Sequence, residues 1–126
     1  MKKTISRSKL EEYYQWIKKE TSSTWQCYED ETAARYGAWD NPKDRRYLSD
    51  IKCRAETQGS FSSGIEEMLS REEENFRLKD ISKVLKELAK KQNFADRAVA
   101  FARLFIKCMS KDRFPDDDEM KDIFHA

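Results

Sequence analysis

The stretch FADRAVAFARLFIKCM, residues 94–109, decides the fold. Ala95, Ala98, Val99, Ala102, Phe105, Ile106 and Met109 recur at three- and four-residue intervals, the period of an α-helix. Phe101, Leu104 and Cys108 occupy the other side. A helix that is apolar around most of its circumference belongs at the centre of a domain, so the rest of the chain must wrap it.

Working outward, Asp80 is placed to cap a helix carrying Ile81, Val84, Leu85 and Leu88 inward, closed by Lys90, Lys91 and Asn93. On the other side, Phe114-Pro115 ends the central helix. Asp116 then caps a last short helix with Met120, Ile123 and Phe124. Upstream, Ser63 and Glu66 have capping-box spacing before Ile65, Met68, Leu69 and Phe76, and residues 58–63 read as a loop. Asn41 before Pro42 is an N-cap followed by a first-turn proline. That helix turns Tyr47, Leu48, Ile51 and Ala55 inward and is predicted to end near residues 57–59.

Residues 37–42 form the clearest loop, with Gly37 as a helix stop. Before it, Ser8 and Glu11 open a helix bearing Leu10, Tyr13, Tyr14 and Ile17, and Trp25, Tyr28, Thr32 and Tyr36 continue its stripe. The polar run at 21–24 is either a break or part of one long helix. No strand alternation and no repeat appear. The expectation is an all-α, compact bundle of six or seven short helices around a buried helix near 94–109, in one domain spanning residues 1–126.

Composition is consistent with this. Apolar residues make up 38% and charged residues 39%, which means a small core under a dense charged shell. Fifteen aromatics (seven Phe, five Tyr, three Trp) and a net charge of +1 argue against disorder. Ala98–Met109 is the longest apolar stretch, and Arg103 and Lys107 interrupt it, so no membrane span is expected. The basic start lacks the apolar core of a signal peptide. Cys27, Cys53 and Cys108 are odd in number and widely spaced, which suggests reduced thiols and a cytoplasmic setting.

Catalytic and cofactor signatures are missing. The one histidine is His125, which removes histidine-based triads and metal sites. Three scattered glycines cannot build a phosphate-binding loop, so no cofactor is expected. The acidic run Asp116, Asp117, Asp118 and Glu119 has the oxygen ligands a divalent cation needs. It lacks EF-hand spacing, however, and its place at a helix start is better explained by the dipole. No metal site is assigned, and the protein is expected not to be an enzyme.

Charge segregation carries more information. Lys43, Arg45, Arg46, Lys52 and Arg54 cluster on the helix after Pro42, with Trp39 just ahead. Lys90, Lys91 and Arg97 form a second basic patch. Lysine and arginine neutralise phosphates, and an exposed aromatic ring stacks on a base. These nine residues are therefore the candidate nucleic-acid contacts. The acidic counterpart is Glu72, Glu73 and Glu74 with Asp116–Glu119, a surface suited to a basic protein partner. Trp16, Trp25 and Trp39 are candidate anchors on such a partner where they are exposed.

Residues 85–102 resemble the helix-turn-helix pattern of DNA-binding proteins, with Ala89, Asn93 and Val99 in the small, turn and aliphatic places. The resemblance implies a recognition helix at 94–109. That segment is too apolar to lie wetted in a groove, which favours a plain helical hairpin. The overall reading is a non-catalytic helical binding protein, a small subunit or accessory factor of a nucleoprotein complex. The alternative is a protein-interaction module, such as an inhibitor or immunity protein, whose acidic face docks on a basic partner.

Overall fold

The computed structural model describes residues 3–35 and 40–126. In chain order these form β1 (Thr4–Ser6), α1 (Arg7–Ala34), α2 (Pro42–Leu69), β2 (Asn75–Arg77), α3 (Leu78–Ala89), α4 (Ala95–Ser110) and α5 (Asp117–Phe124). The chain is mostly helical, as its periodicity predicted. Among the described residues, five helices replace the expected six or seven, and a two-stranded antiparallel sheet is added. No helix among them is long and apolar enough to cross a membrane.

The lower helix count comes from two segments that stay helical. At residues 21–24 the Thr21 hydroxyl donates to the Ile17 carbonyl (2.7 Å) and the Thr24 hydroxyl to that of Glu20 (2.8 Å). Bonding back one turn satisfies the hydroxyls without breaking the helix. The expected loop at 58–63 is the interior of α2. Gln58, Phe61, Gly64, Ile65 and Met68 are all buried there, so tertiary packing overrides the low helix preference of Gly59 and its serine neighbours. The spacing of Ser63 and Glu66 is accordingly not a helix start.

α1 and α2, 28 residues each and so about 42 Å long, pack as an antiparallel hairpin. Arg35 reaches Asp44 at one end (2.6 Å), and the Tyr14 hydroxyl donates to Glu66 near the other (2.7 Å). Arg7 closes that second end. Its guanidinium donates to the main-chain oxygens of Leu69 (2.7 Å) at the end of α2 and of Glu73 (2.8 Å) and Arg71 in the connection that follows, so it satisfies an open helix-end carbonyl and ties down the turn. β1 and β2 pair alongside in the register Thr4↔Arg77, Ile5↔Phe76 and Ser6↔Asn75, with Ile5 and Phe76 buried. Three-residue strands are too short to leave an alternation signal in the sequence.

α4 does supply the centre. Phe61, Phe101 and Phe105 stack in sequence at centroid distances of 5.1 and 5.5 Å, and Tyr13, Trp16 and Phe124 close around them edge-on. Removing one such ring costs about 3–5 kcal/mol in typical cores. The helix is not buried all round, because Arg103 and Lys107 keep one side exposed. Several caps fall where expected. Asn41 accepts from the Lys43 amide (3.0 Å) with Pro42 at the first helical position. Asp116 and Glu119 form a reciprocal capping box on α5. Two starts shift. The residue before α1 is Ser6, whose hydroxyl accepts from Lys9 (3.2 Å), and α3 begins after Arg77 with Asp80 in its first turn.

Candidate nucleic-acid interface

The basic residues of α2 divide into two groups. Lys43, Arg45, Arg46 and Lys52 are exposed. Arg54 is not: its side chain is 10% exposed, and it donates to the Ala126 main-chain oxygen (2.8 Å) and pairs with Asp117 (3.5 Å) and Glu20 (3.7 Å). It is a clamp joining α1, α2 and α5 and is not available to a phosphate. Arg97 is withdrawn in the same way. It pairs with Asp50 at 2.7 Å, donates to the Phe124 carbonyl at 3.3 Å, and lies 3.3 Å from His125 Nδ1. Charge along the sequence points to both residues but does not reveal a carboxylate waiting on another helix. Trp39 lies outside the described residues.

Two of the remaining cations, Lys52 and Lys91, line one cleft. A cleft of about 450 Å³ runs between α2 and the α3–α4 connection, lined by Ser49, Lys52, Cys53 and Glu56 on one wall and Lys91, Gln92, Asn93 and Phe94 on the other. Arg45, Ser49, Lys52 and Glu56 recur at helical intervals, so Arg45 continues the Lys52 ridge one turn beyond the cleft. Arg46 and Lys43 line a smaller neighbouring hollow with Tyr47. Lys90 is exposed and meets Glu87 at 3.8 Å, an ion pair that solvent largely screens. The two basic patches read separately along the chain thus share one cleft through Lys52 and Lys91.

Phe94 is a cleft residue that the sequence does not single out. The apolar periodicity places it in the buried helix, but it occupies the position just before α4 and is 40% exposed. The Arg97 guanidinium lies 4.7 Å from its ring centroid, which holds the ring at the cleft rim. The available signal was positional: the residue ahead of a helix's first turn sits outside its packed face. Trp16 and Trp25 are half-buried and packed, Trp16 on Phe105 (5.5 Å) and Trp25 on Tyr28 (5.7 Å).

α3 and α4 do form a hairpin over the stretch that resembles a helix-turn-helix. Phe101, Ala102 and Phe105 of the would-be recognition helix are fully buried. Nor does Asn93 take the left-handed conformation; among the described non-glycine residues positive φ occurs at Asp112 and His125. Both observations favour the plain hairpin reading.

The acidic candidates separate as well. Glu72, Glu73 and Glu74 are exposed between α2 and β2. Asp116 and Glu119 are committed to the α5 cap, Glu119 also takes two bonds from Arg113 (2.7 and 2.9 Å), and Asp117 pairs with Lys121 (3.0 Å). The Arg113 bonds hold the Glu119 carboxyl well below its ordinary value, at about 2. Asp118 is exposed. Among the described residues no three His, Cys, Asp or Glu side chains converge. Burial pushes the Cys53 and Cys108 thiols up, which disfavours the thiolate a nucleophile requires. Comparison of the chain with protein-family models, curated proteins and solved structures returns no match.

Proposed function

We propose that this protein is a non-catalytic subunit or accessory factor of a nucleoprotein assembly, contacting the nucleic-acid backbone through the Lys52–Lys91 cleft. One observation carries the reading: two lysines from separate segments line one cleft whose rim holds a half-exposed Phe94. Lysines neutralise phosphates, Ser49, Gln92 and Asn93 add neutral hydrogen-bonding groups, and the ring offers a face to an unpaired base. Single strands are favoured over duplex, because a ring at the rim of a cleft needs an unstacked base.

The test is fluorescence anisotropy with short labelled single-stranded RNA, single-stranded DNA and duplex DNA, at salt from about 50 to 200 mM. Saturable single-strand binding that weakens with salt is expected, and Lys52→Glu with Lys91→Glu should reduce it at least about tenfold. Absence of binding at the lowest salt, or binding indifferent to that double reversal, overturns the reading.

A second reading, a protein-interaction module with an acidic face, is favoured by a different groove. Glu11, Glu12 and Glu66 line about 870 Å³ of open space with Leu69 and Phe114, whose ring is 36% exposed. An apolar anchor among carboxylates suits a basic protein. A stoichiometric complex lost on Phe114→Ala, formed without nucleic acid, would favour it.

A further inference from the structure

A second basic surface lies on the α3–α4 hairpin, away from the residues that line the Lys52–Lys91 cleft. Lys79, Ser82 and Lys86 recur at helical spacing on α3, and Arg103, Ile106, Lys107 and Ser110 do so on α4. The two rows enclose a groove of about 850 Å³. Its end is formed by the paired strand residues Thr4 and Arg77, with Lys3 beside them. The floor is apolar, made by Leu78, Ile106 and the aliphatic stems of the rim. No carboxylate lines it among the described residues. Of the six rim cations, Arg77 is the one with an ion pair among the described residues, to Asp80 at 3.0 Å.

We infer that this groove docks an acidic amphipathic helix of a protein partner, its apolar side chains on Leu78 and Ile106 and its carboxylates on Lys79, Lys86, Arg103 and Lys107. The length agrees: Lys79 to Lys86 spans about 10 Å, two turns of a docked helix. Charge complementarity selects the sign of the partner, and the recessed apolar floor selects its form. A nucleic acid would leave that floor unused, since among the described residues no aromatic ring lines the groove for a base to stack on. A bilayer is a poor fit because insertion needs apolar side chains that protrude, whereas these are sunk between two rows of cations.

The inference goes beyond the proposed function and stands or falls separately from it. The probe is a fluorescein-labelled peptide of about twelve residues with leucines one helical turn apart and glutamates flanking them, at about 0.15 M salt, where remote charges are screened. The control peptide replaces each leucine with serine at the same charge. Wild-type protein should bind the first peptide at least about tenfold more tightly than the control. Lys79→Glu with Arg103→Glu, both exposed and therefore compatible with folding, should weaken it by a similar factor. A circular-dichroism melt checks that this variant keeps its helices. Lys52→Glu with Lys91→Glu should leave peptide binding intact, which separates this groove from the nucleic-acid cleft. Equal affinity for the two peptides overturns the inference, because charge alone would then explain binding. So does loss of single-stranded RNA or phosphatidylserine-vesicle binding in the Lys79/Arg103 variant with the peptide unaffected, which would assign the groove to another class of partner.

Discussion

Arg97 of α4 and Asp50 of α2 meet at 2.7 Å, with the carboxylate side chain 9% exposed. The pair joins the central helix to the long hairpin and, through the Phe124 carbonyl, to the end of α5. Removing one partner of a nearly buried ion pair leaves the other charged and uncompensated. Asp50→Ala should therefore lose about 3 kcal/mol, the low end for such a break because Arg97 retains some solvent contact. Urea denaturation followed by circular dichroism measures this; a loss well under 1 kcal/mol, the range of surface pairs, would show the pair to be ornamental.

The continuity of α2 makes a sharper test. A Cβ added at Gly59 would meet only Thr21 Cγ2, at an ordinary 3.5 Å, whereas one added at Gly64 would lie 2.6 Å from Leu88 Cδ1. Gly59→Ala should stabilise the protein by about 0.5–1 kcal/mol, the usual gain for alanine inside a helix. At Gly64 the displaced Leu88 should cancel or reverse that gain. Thermal melts of the two variants compare them directly. A destabilised Gly59→Ala would return residues 58–63 to the loop that composition suggested.

Gln58 is fully buried in α2, and neither end of its amide has a hydrogen-bond partner among the described residues. A buried amide without partners costs more than an apolar side chain of similar size. Gln58→Leu should raise stability by about 1 kcal/mol, since both residues favour helix and the desolvation penalty disappears. An unchanged or lower melting temperature would mean the amide is satisfied in solution.

Acid sensitivity should centre on α5. Glu119 is held down to about 2 when folded, well below its ordinary value near 4.5. A depressed carboxyl contributes stability that is present above the unfolded value and lost as pH falls toward the folded one. The stability gap between wild type and Glu119→Ala should therefore be widest near neutral pH and close between pH 4.5 and 2. A gap that is constant across that window would assign the effect to packing instead of charge.

For the cleft itself, the salt dependence counts contacts. Each lysine that neutralises a phosphate contributes about one unit to the slope of log affinity against log salt. Lys52→Gln should lower that slope by about one, with affinity falling on every sequence alike. Phe94→Ala should cost about 1–3 kcal/mol of single-strand affinity while leaving the slope unchanged, because stacking releases no ions. A slope that moves with Phe94 and not with Lys52 would contradict the assigned roles.

How much was legible in the sequence depends on the range of the physics involved. Helical periodicity, the Asn41-Pro42 start and the Asp116 cap are encoded within a few residues, and the structure follows them. The apolar stretch after Phe94 also revealed the central helix, since a helix with little wet surface has few other places to go. Local chemistry misled at residues 58–63, where glycine and serine read as a loop. Burial of Phe61 and Ile65 against neighbouring helices outweighs the modest cost of those residues in a helix. The candidate site shows the same divide. Lysines and arginines could be counted along the chain, but whether each faces water or a carboxylate depends on helices distant in sequence. Packing took Arg54 and Arg97 inside, turned Phe94 outward and set Lys52 across a cleft from Lys91, because charge pairing and exposure are properties of the assembled core and not of any one segment.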